Sequence, residues 1–313
     1  MANYSFTTLG FFAQDATDAY GINTAGDIVG TIDGTNGFVY KHGTDPRRLT
    51  HFVYPNAHVT VPRAINDVGL VTGWFLGDRG EQGFTSINNG FSPPISYPQA
   101  SSTKIFGTLL AGGPSVGSVL NPSGTIPGTH GMTFDGVNFS KFDVDPFKDN
   151  TVAFGINAAG AIVGTYFEQS GTPHGFVYAN GEAQLIDPPP NFSHITLTGI
   201  NDKFQIVGFA TPTTFGGNFG FVYTYPGFNY NGGTFSFFPP PQQFPFSIPL
   251  PLASTTTGRS LDLTPTPTAR THSLLLRADA PLPKPEKPKS GGAWFARKGA
   301  TRSHLQTGRP RVS

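Results

Sequence analysis

Along residues 1–238, apolar and polar side chains alternate in short runs, and each run is stopped by Gly, Asn, Asp or Pro. A period of two predicts half-buried strands, and no stretch holds a helical period over ten residues. Almost no helix is expected.

The runs recur in register. Gly21-Ile22-Asn23 leads to Gly26 and Ile28-Val29-Gly30; Ala64-Ile65-Asn66 leads to Gly69 and Leu70-Val71. Gly155-Ile156-Asn157 leads to Gly160 and Ile162-Val163-Gly164, and Gly199-Ile200-Asn201 leads to Ile206-Val207-Gly208. A worn copy begins at Gly107, with Val116-Gly117 in place of Val-Gly, so the units start at 21, 64, 107, 155 and 199. A second signature, Gly-Phe-Val-Tyr or a relative, falls at Gly37–Tyr40, Gly83–Ser86, Gly131–Phe134, Gly175–Tyr178 and Gly220–Tyr223. A third run closes the unit before proline at Leu49–Phe52, Phe139–Val144, Ala183–Ile186 and Thr234–Phe237, and is degenerate at Pro93-Pro94 in unit two.

Four short strands and four turns account for a unit of about 44 residues. The fold class predicted is therefore all-β, a single repeat domain built as a five-bladed β-propeller of four-stranded blades. The Asn-x-x-Gly element predicts a tight turn between strands one and two, because Asn closes an Asx turn and Gly accepts φ > 0. Asp202-Lys203-Phe204-Gln205 lacks that Gly and is expected to turn by another route. Ser5–Leu9 resembles a closing strand, which either latches the ring by pairing into the last blade or caps an open stack.

Composition supports the pattern and limits the functions. Charged residues are 12% of 313, with 40 Gly, 29 Phe and 29 Pro, so a core must come from aromatic and branched side chains. Cysteine is absent, which removes disulfides and thiolate metal sites. No basic leader with an apolar run and no stretch of eighteen apolar residues occurs, so neither a signal peptide nor a membrane span is expected. Residues 1–250 carry sixteen acidic against nine basic side chains, and residues 251–313 three against eleven. An acidic body argues against nucleic acid as its ligand. Three segments result: the repeat domain at 1–238, a Pro-rich linker at 239–252 and a disordered basic tail at 253–313. The abrupt change of composition there is also what a stretch read out of frame would give.

The alternation of Gly-Ile-Asn-x-x-Gly-x-Ile-Val-Gly with His-Gly-Phe-x-Tyr, over roughly residues 5–240, resembles the bacterial HAF-repeat family of extracellular repeat proteins. The resemblance implies a surface or secreted location and carries over no catalytic residues.

Candidate chemistry is sparse. Gly113-Pro-Ser115-Val-Gly117 matches the hydrolase G-x-S-x-G, but no helix pattern follows it, so Ser115 is read as a hairpin residue. Asp143, Asp145 and Asp149 cluster as Ca²⁺ ligands can, yet occupy a repeated strand end and lack the EF-hand Gly and Glu. His130 and His174 precede the second signature where other units have Asn36, Gln82 and Phe219, which points to a turn position. Asp27, Asp67 and Asp202 lie in the repeated turns. No catalytic, cofactor or metal residue is assigned. The expected function is a non-enzymatic, monomeric binding or structural module of unknown ligand. It would meet a glycan or protein through loops between strands two and three, Gly77–Gln82, Gln169–Pro173 and Thr211–Asn218. The alternative is a glycan-active enzyme on the same propeller, with Asp78, Glu81 and Glu168 as the acids to test.

Overall fold

A computed structural model describes residues 4–7, 9, 16–45, 48–109, 113–121, 128–144, 150–168, 170–214, 217–227, 233–238, 263–264 and 277–278. Among them there is no helix, so none is long and apolar enough to cross a membrane. The linker at 239–252 lies outside the described residues, as does the tail apart from two residue pairs. The chain divides into a unit Met1–Ala280 and a second, Pro281–Ser313, the latter wholly outside the described residues.

A first strand, β1 (Tyr4–Thr7), precedes the repeats. Blade one is β2 (Thr17–Ile22), β3 (Ile28–Ile32), β4 (Asn36–Tyr40) and β5 (Thr50–Phe52). Blade two is β6 (Val59–Ile65), β7 (Val71–Gly77), β8 (Gly80–Ile87) and the two-residue β9 (Gly90–Phe91). Blade three is β10 (Ser102–Thr108), β11 (Ser115–Asn121), β12 (Gly128–Phe134) and β13 (Phe139–Phe142). Blade four is β14 (Thr151–Ile156), β15 (Ile162–Phe167), β16 (Pro173–Ala179) and β17 (Glu182–Ile186). Blade five is β18 (Phe192–Ile200), β19 (Gln205–Pro212), β20 (Phe219–Thr224) and β21 (Thr234–Phe238). Each is an antiparallel meander, and the five first strands line one axial cavity of about 60 Å³. The fold is thus the all-β five-bladed propeller that the repeats predict.

Two short strands, β22 (Leu263–Thr264) and β23 (Arg277–Ala278), pair with β1 on either side. Blade five meanwhile draws its fourth strand from its own repeat. The latch expected from β1 into the last blade is therefore not what the structure contains, because β21 already satisfies the edge of β20.

Every first strand carries a register shift, at Ala19/Gly21, Pro62/Ala64, Ile105/Gly107, Ala153/Gly155 and Leu197/Gly199. The extra residue bends the strand around the axis. The glycine opposite the shift in strand two has no room for a side chain. A Cβ on Gly164 would collide with the Val152 carbonyl and meet the Phe176 ring at 2.8 Å. That ring and its counterparts, Phe38, Phe84, Met132 and Phe221, are fully buried, so the second signature supplies the centre of each blade. The core itself sits between blades: Val29 and Phe52 of blade one pack with Ile65, Val71 and Phe84 of blade two. Burying each such Phe is worth about 1.5–3 kcal/mol.

The repeated Asn performs two tasks. Its Oδ1 accepts the N–H four residues on, at 2.9 Å for Asn23, Asn66, Asn157 and Asn201 alike, which closes the turn. Its Nδ2 donates into the next blade: Asn23 to the Asn66 carbonyl at 3.2 Å, Asn66 to that of Leu109 at 2.6 Å, and Asn157 to that of Asn201 at 3.2 Å. The Asp after the Asn answers in the reverse direction. Asp67 accepts the Thr24 N–H and Asp202 the Ala158 N–H, each at 2.8 Å. Buried amides thus join successive hairpins side by side and hold the walls of the spaces between blades.

Unit five turns by the same route as units one, two and four, contrary to expectation. Phe204 takes φ +56°, near the +79° of Gly69, and its N–H bonds the Asn201 carbonyl at 3.0 Å. The cost of a bulky residue in the left-handed region, on the order of 1–2 kcal/mol, is offset by packing of its ring against the core between blades four and five.

Candidate functional site

The hairpins joining strands one to two and strands three to four project on one face of the ring. On that face a groove of about 440 Å³ separates blades one and two, a size suited to a small-molecule ligand. Blade one gives it Val39, Lys41, Thr50 and Phe52, with Asp27 from its first hairpin. Blade two gives Asp67, Gly69 and Val71 from one hairpin and strand, and Ser86, Asn88 and Asn89 from another.

These polar groups are held by local geometry. Asn88 and Asn89 take φ +50° and +63° between the paired Ile87 and Gly90, the two-residue turn for which Asn is favoured, and their exposed amides form the rim. Asp27 bonds the Lys41 ammonium at 2.7 Å and the His42 N–H at 3.1 Å. Burial pushes its carboxyl up, and the Lys41 and His42 contacts outweigh it, so the group titrates below its ordinary value. Ser86 is 2% exposed and its hydroxyl has no hydrogen-bond partner. Leaving a buried hydroxyl unpaired costs about 1–3 kcal/mol.

Blades four and five show the same space filled. The register places Ala161, Ala179, Gln184, Phe204, Tyr223 and Tyr225 where blades one and two have Asp27, Lys41, Thr50, Gly69, Ser86 and Asn88. Tyr225 is buried, its hydroxyl donates to Gln184 Oε1 across the blade boundary at 2.8 Å, and its ring stacks with Phe204 at 6.3 Å. Burial, with Tyr223 adding to it, pushes the Tyr225 hydroxyl up to about 12. The groove between blades one and two is the same cleft with its aromatic filling replaced by small and polar residues.

The residues singled out from sequence fall elsewhere. Ser115 opens strand β11, is 5% exposed and bonds Thr108 Oγ1 at 3.2 Å, so it stands in a flat ladder and not on an elbow. His130 is buried with Nδ1 2.9 Å from Asp143, a hydrogen bond inside blade three; Asp145 and Asp149 lie outside the described residues. His174 Nε2 is 3.1 Å from Glu168 Oε1 but outside hydrogen-bonding geometry, and burial followed by the charge of His174 holds His194 below its ordinary value. Among the described residues, no three His, Asp or Glu side chains are grouped to hold a metal ion.

The expected ligand loops also change. Gly77–Gln82 is no loop: Leu76 pairs with Glu81 and Gly77 with Gly80, leaving a two-residue turn at Asp78-Arg79. The polar run hid a strand that continues to its turn. Gln169 and residues 215–216 lie outside the described residues. Glu81 is occupied locally, 2.8 Å from Lys104 and 2.7 Å from the Ser102 hydroxyl, where it ties blade two to blade three.

The groove leaves no mark in the local pattern because its residues belong to two separate repeats of the sequence. Aligning units two and five would have exposed it, since Ser86 and Asn88 stand against Tyr223 and Tyr225.

No family model matches the chain, and no curated protein matches it. Among solved structures, a provisionally designated gluconolactonase is similar at 13% identity over 71% of this chain and 78% of that one, with a TM-score of 0.46. A triple arginine-to-alanine mutant of AofleA from Arthrobotrys oligospora is similar at 13% identity over 82% of this chain and 79% of that one, with a TM-score of 0.45. At these values neither transfers an activity or a ligand to this chain.

Proposed function

We propose that this chain is a non-enzymatic binding module whose groove between blades one and two takes a hydroxyl-rich ligand, a glycan. The surface or secreted location implied by the HAF-repeat resemblance belongs to the same reading. The observation that carries it is internal: one cleft of the repeat is filled by Tyr223, Tyr225 and Phe204, and its counterpart is open and lined by Asp27, Lys41, Thr50 and Ser86. A side chain that merely completed the core would fill both.

Glycoside cleavage is the second reading, and it needs a carboxylic acid kept protonated near neutrality beside a second carboxylate. Asp27 has the opposite bias, since Lys41 holds it ionised. Asp67 is engaged by the Thr24 N–H of the neighbouring blade. Asp27 is thus set to accept hydrogen bonds from a ligand and not to donate a proton.

Immobilised polysaccharides and oligosaccharides, presented to the full chain with product analysis of the same mixtures, test the reading. Retention without cleavage products is expected. Multiple-turnover release of shorter products, abolished by Asp27→Asn or Asp67→Asn in a variant of unchanged melting temperature, would replace the module by an enzyme.

A further inference from the structure

The filled cleft between blades four and five is a template for what the open one holds. Tyr225 enters from the end of strand three of blade five, and its hydroxyl reaches Gln184 on strand four of blade four. It therefore spans the cleft from the Asn88 position to the Thr50 position, and its space is that of one six-membered ring with a hydroxyl at its far end. We infer that the groove between blades one and two binds a single pyranose unit in the place of the Tyr225 ring, with one hydroxyl at Thr50 and others at Asp27 and Lys41. This rests on the groove being the ligand site.

The choice of a sugar over a phenol follows from what changes between the two clefts. Around Tyr225 the walls are Ala161, Ala179, Phe204 and Tyr223, an apolar and aromatic setting that suits a flat ring with one hydroxyl. In the open groove those four positions are Asp27, Lys41, Gly69 and Ser86. Two stacking partners are gone, so an aromatic ligand loses the contacts that hold Tyr225. In their place stand a carboxylate with a lone pair to spare beyond Lys41, His42 and Asn23, an ammonium with two further protons, and a buried hydroxyl without a partner. A ring bearing several hydroxyls answers all three. Val39, Val71 and Phe52 leave an apolar wall for the C–H face of such a ring. Asp27 paired to Lys41 offers an acceptor and a donor side by side, the arrangement that a vicinal diol matches with one oxygen to each.

Titration calorimetry of the full chain tests this, with the methyl pyranosides of glucose, galactose, mannose and N-acetylglucosamine as probes and p-cresol as the flat ring with one hydroxyl. At least one pyranoside is expected to bind saturably, with p-cresol weaker than it. Ser86→Tyr, which restores the blade-five residue, should weaken that pyranoside at least about tenfold, a difference of about 1.4 kcal/mol. Lys41→Met should weaken it several-fold, with Lys104→Met, outside the groove, as the unchanged control. Circular dichroism melting of each variant confirms that it is folded. The outcomes separate cleanly. Tighter binding of p-cresol, lost in Ser86→Tyr, overturns the sugar and leaves the groove as the site. Pyranoside binding that survives both substitutions overturns the placement and leaves the binding module. No binding of any probe overturns the pyranose assignment, while retention on polysaccharide columns still decides the broader function on its own.

Discussion

Replacing Asn157 by Ala removes both hydrogen bonds that the repeat asks of its asparagine. The Ala161 N–H loses Oδ1 at 2.9 Å in a buried setting, which leaves an unpaired donor costing about 1–3 kcal/mol. The Asn201 carbonyl loses Nδ2 at 3.2 Å but keeps the Phe204 N–H at 3.0 Å, so that half costs only the net value of one bond, about 0.5–1.5 kcal/mol. Asn157 is 1% exposed, so water cannot substitute. The expected loss is about 2–4 kcal/mol, a large share of the 5–15 kcal/mol typical of a folded protein. Urea unfolding followed by circular dichroism measures it, read from the midpoint with the slope held in common. Asn36→Ala is the control, because that amide is exposed and meets only the Thr35 hydroxyl. A shift for Asn157→Ala below about 0.5 kcal/mol, the scatter expected of ordinary surface changes, would refute the idea that the buried amides join the blades.

Three further outcomes follow from the same geometry. Gly164→Ala should cost about 3 kcal/mol or more through collision with the Val152 carbonyl, and Gly160→Ala only about 1–2 kcal/mol through φ +78° in open space; equal melting temperatures for the two would contradict the bulge account. The Tyr225 hydroxyl is raised to about 12, so its contribution is complete below the ordinary tyrosine value near 10 and is lost as pH rises through about 12. Tyr225→Phe should flatten the alkaline fall in melting temperature over that window, and an unchanged fall would place the cause elsewhere. Asp27 titrates low, so its contribution is complete above the ordinary carboxylate value near 4 and is lost as pH falls through its depressed value. Lys41→Met should make the loss begin at higher pH, measured as the acid midpoint of unfolding, and an acid midpoint that stays in place would count against the ion pair.

Much of the fold is legible in the sequence because its determinants are local. An Asn that closes its own turn and a Phe framed by glycine leave marks at fixed spacing, and strand four ends where proline begins. What was not legible depends on neighbours one repeat away. Asn157 reads as an Asx turn, and its second bond, to residue 201, is visible only when blades stand side by side. Phe204 reads as a broken turn, yet its ring has the core between blades four and five to enter, and that packing offsets its φ. Asp78-Arg79 reads as a loop because charge masks a strand continuing to Gly77 and resuming at Gly80. The groove is the extreme case, since it consists of what Ser86 and Gly69 do not fill.

The measurement that bears most directly on the account is the structure of the full chain crystallised with the best-binding glycan. The ligand is expected between blades one and two, with oxygens on Asp27, Lys41 and Thr50 and its ring beside Gly69 and Ser86. A ligand bound instead to the opposite face, at the hairpins joining strands two and three, with the groove between blades one and two holding only solvent, would contradict it.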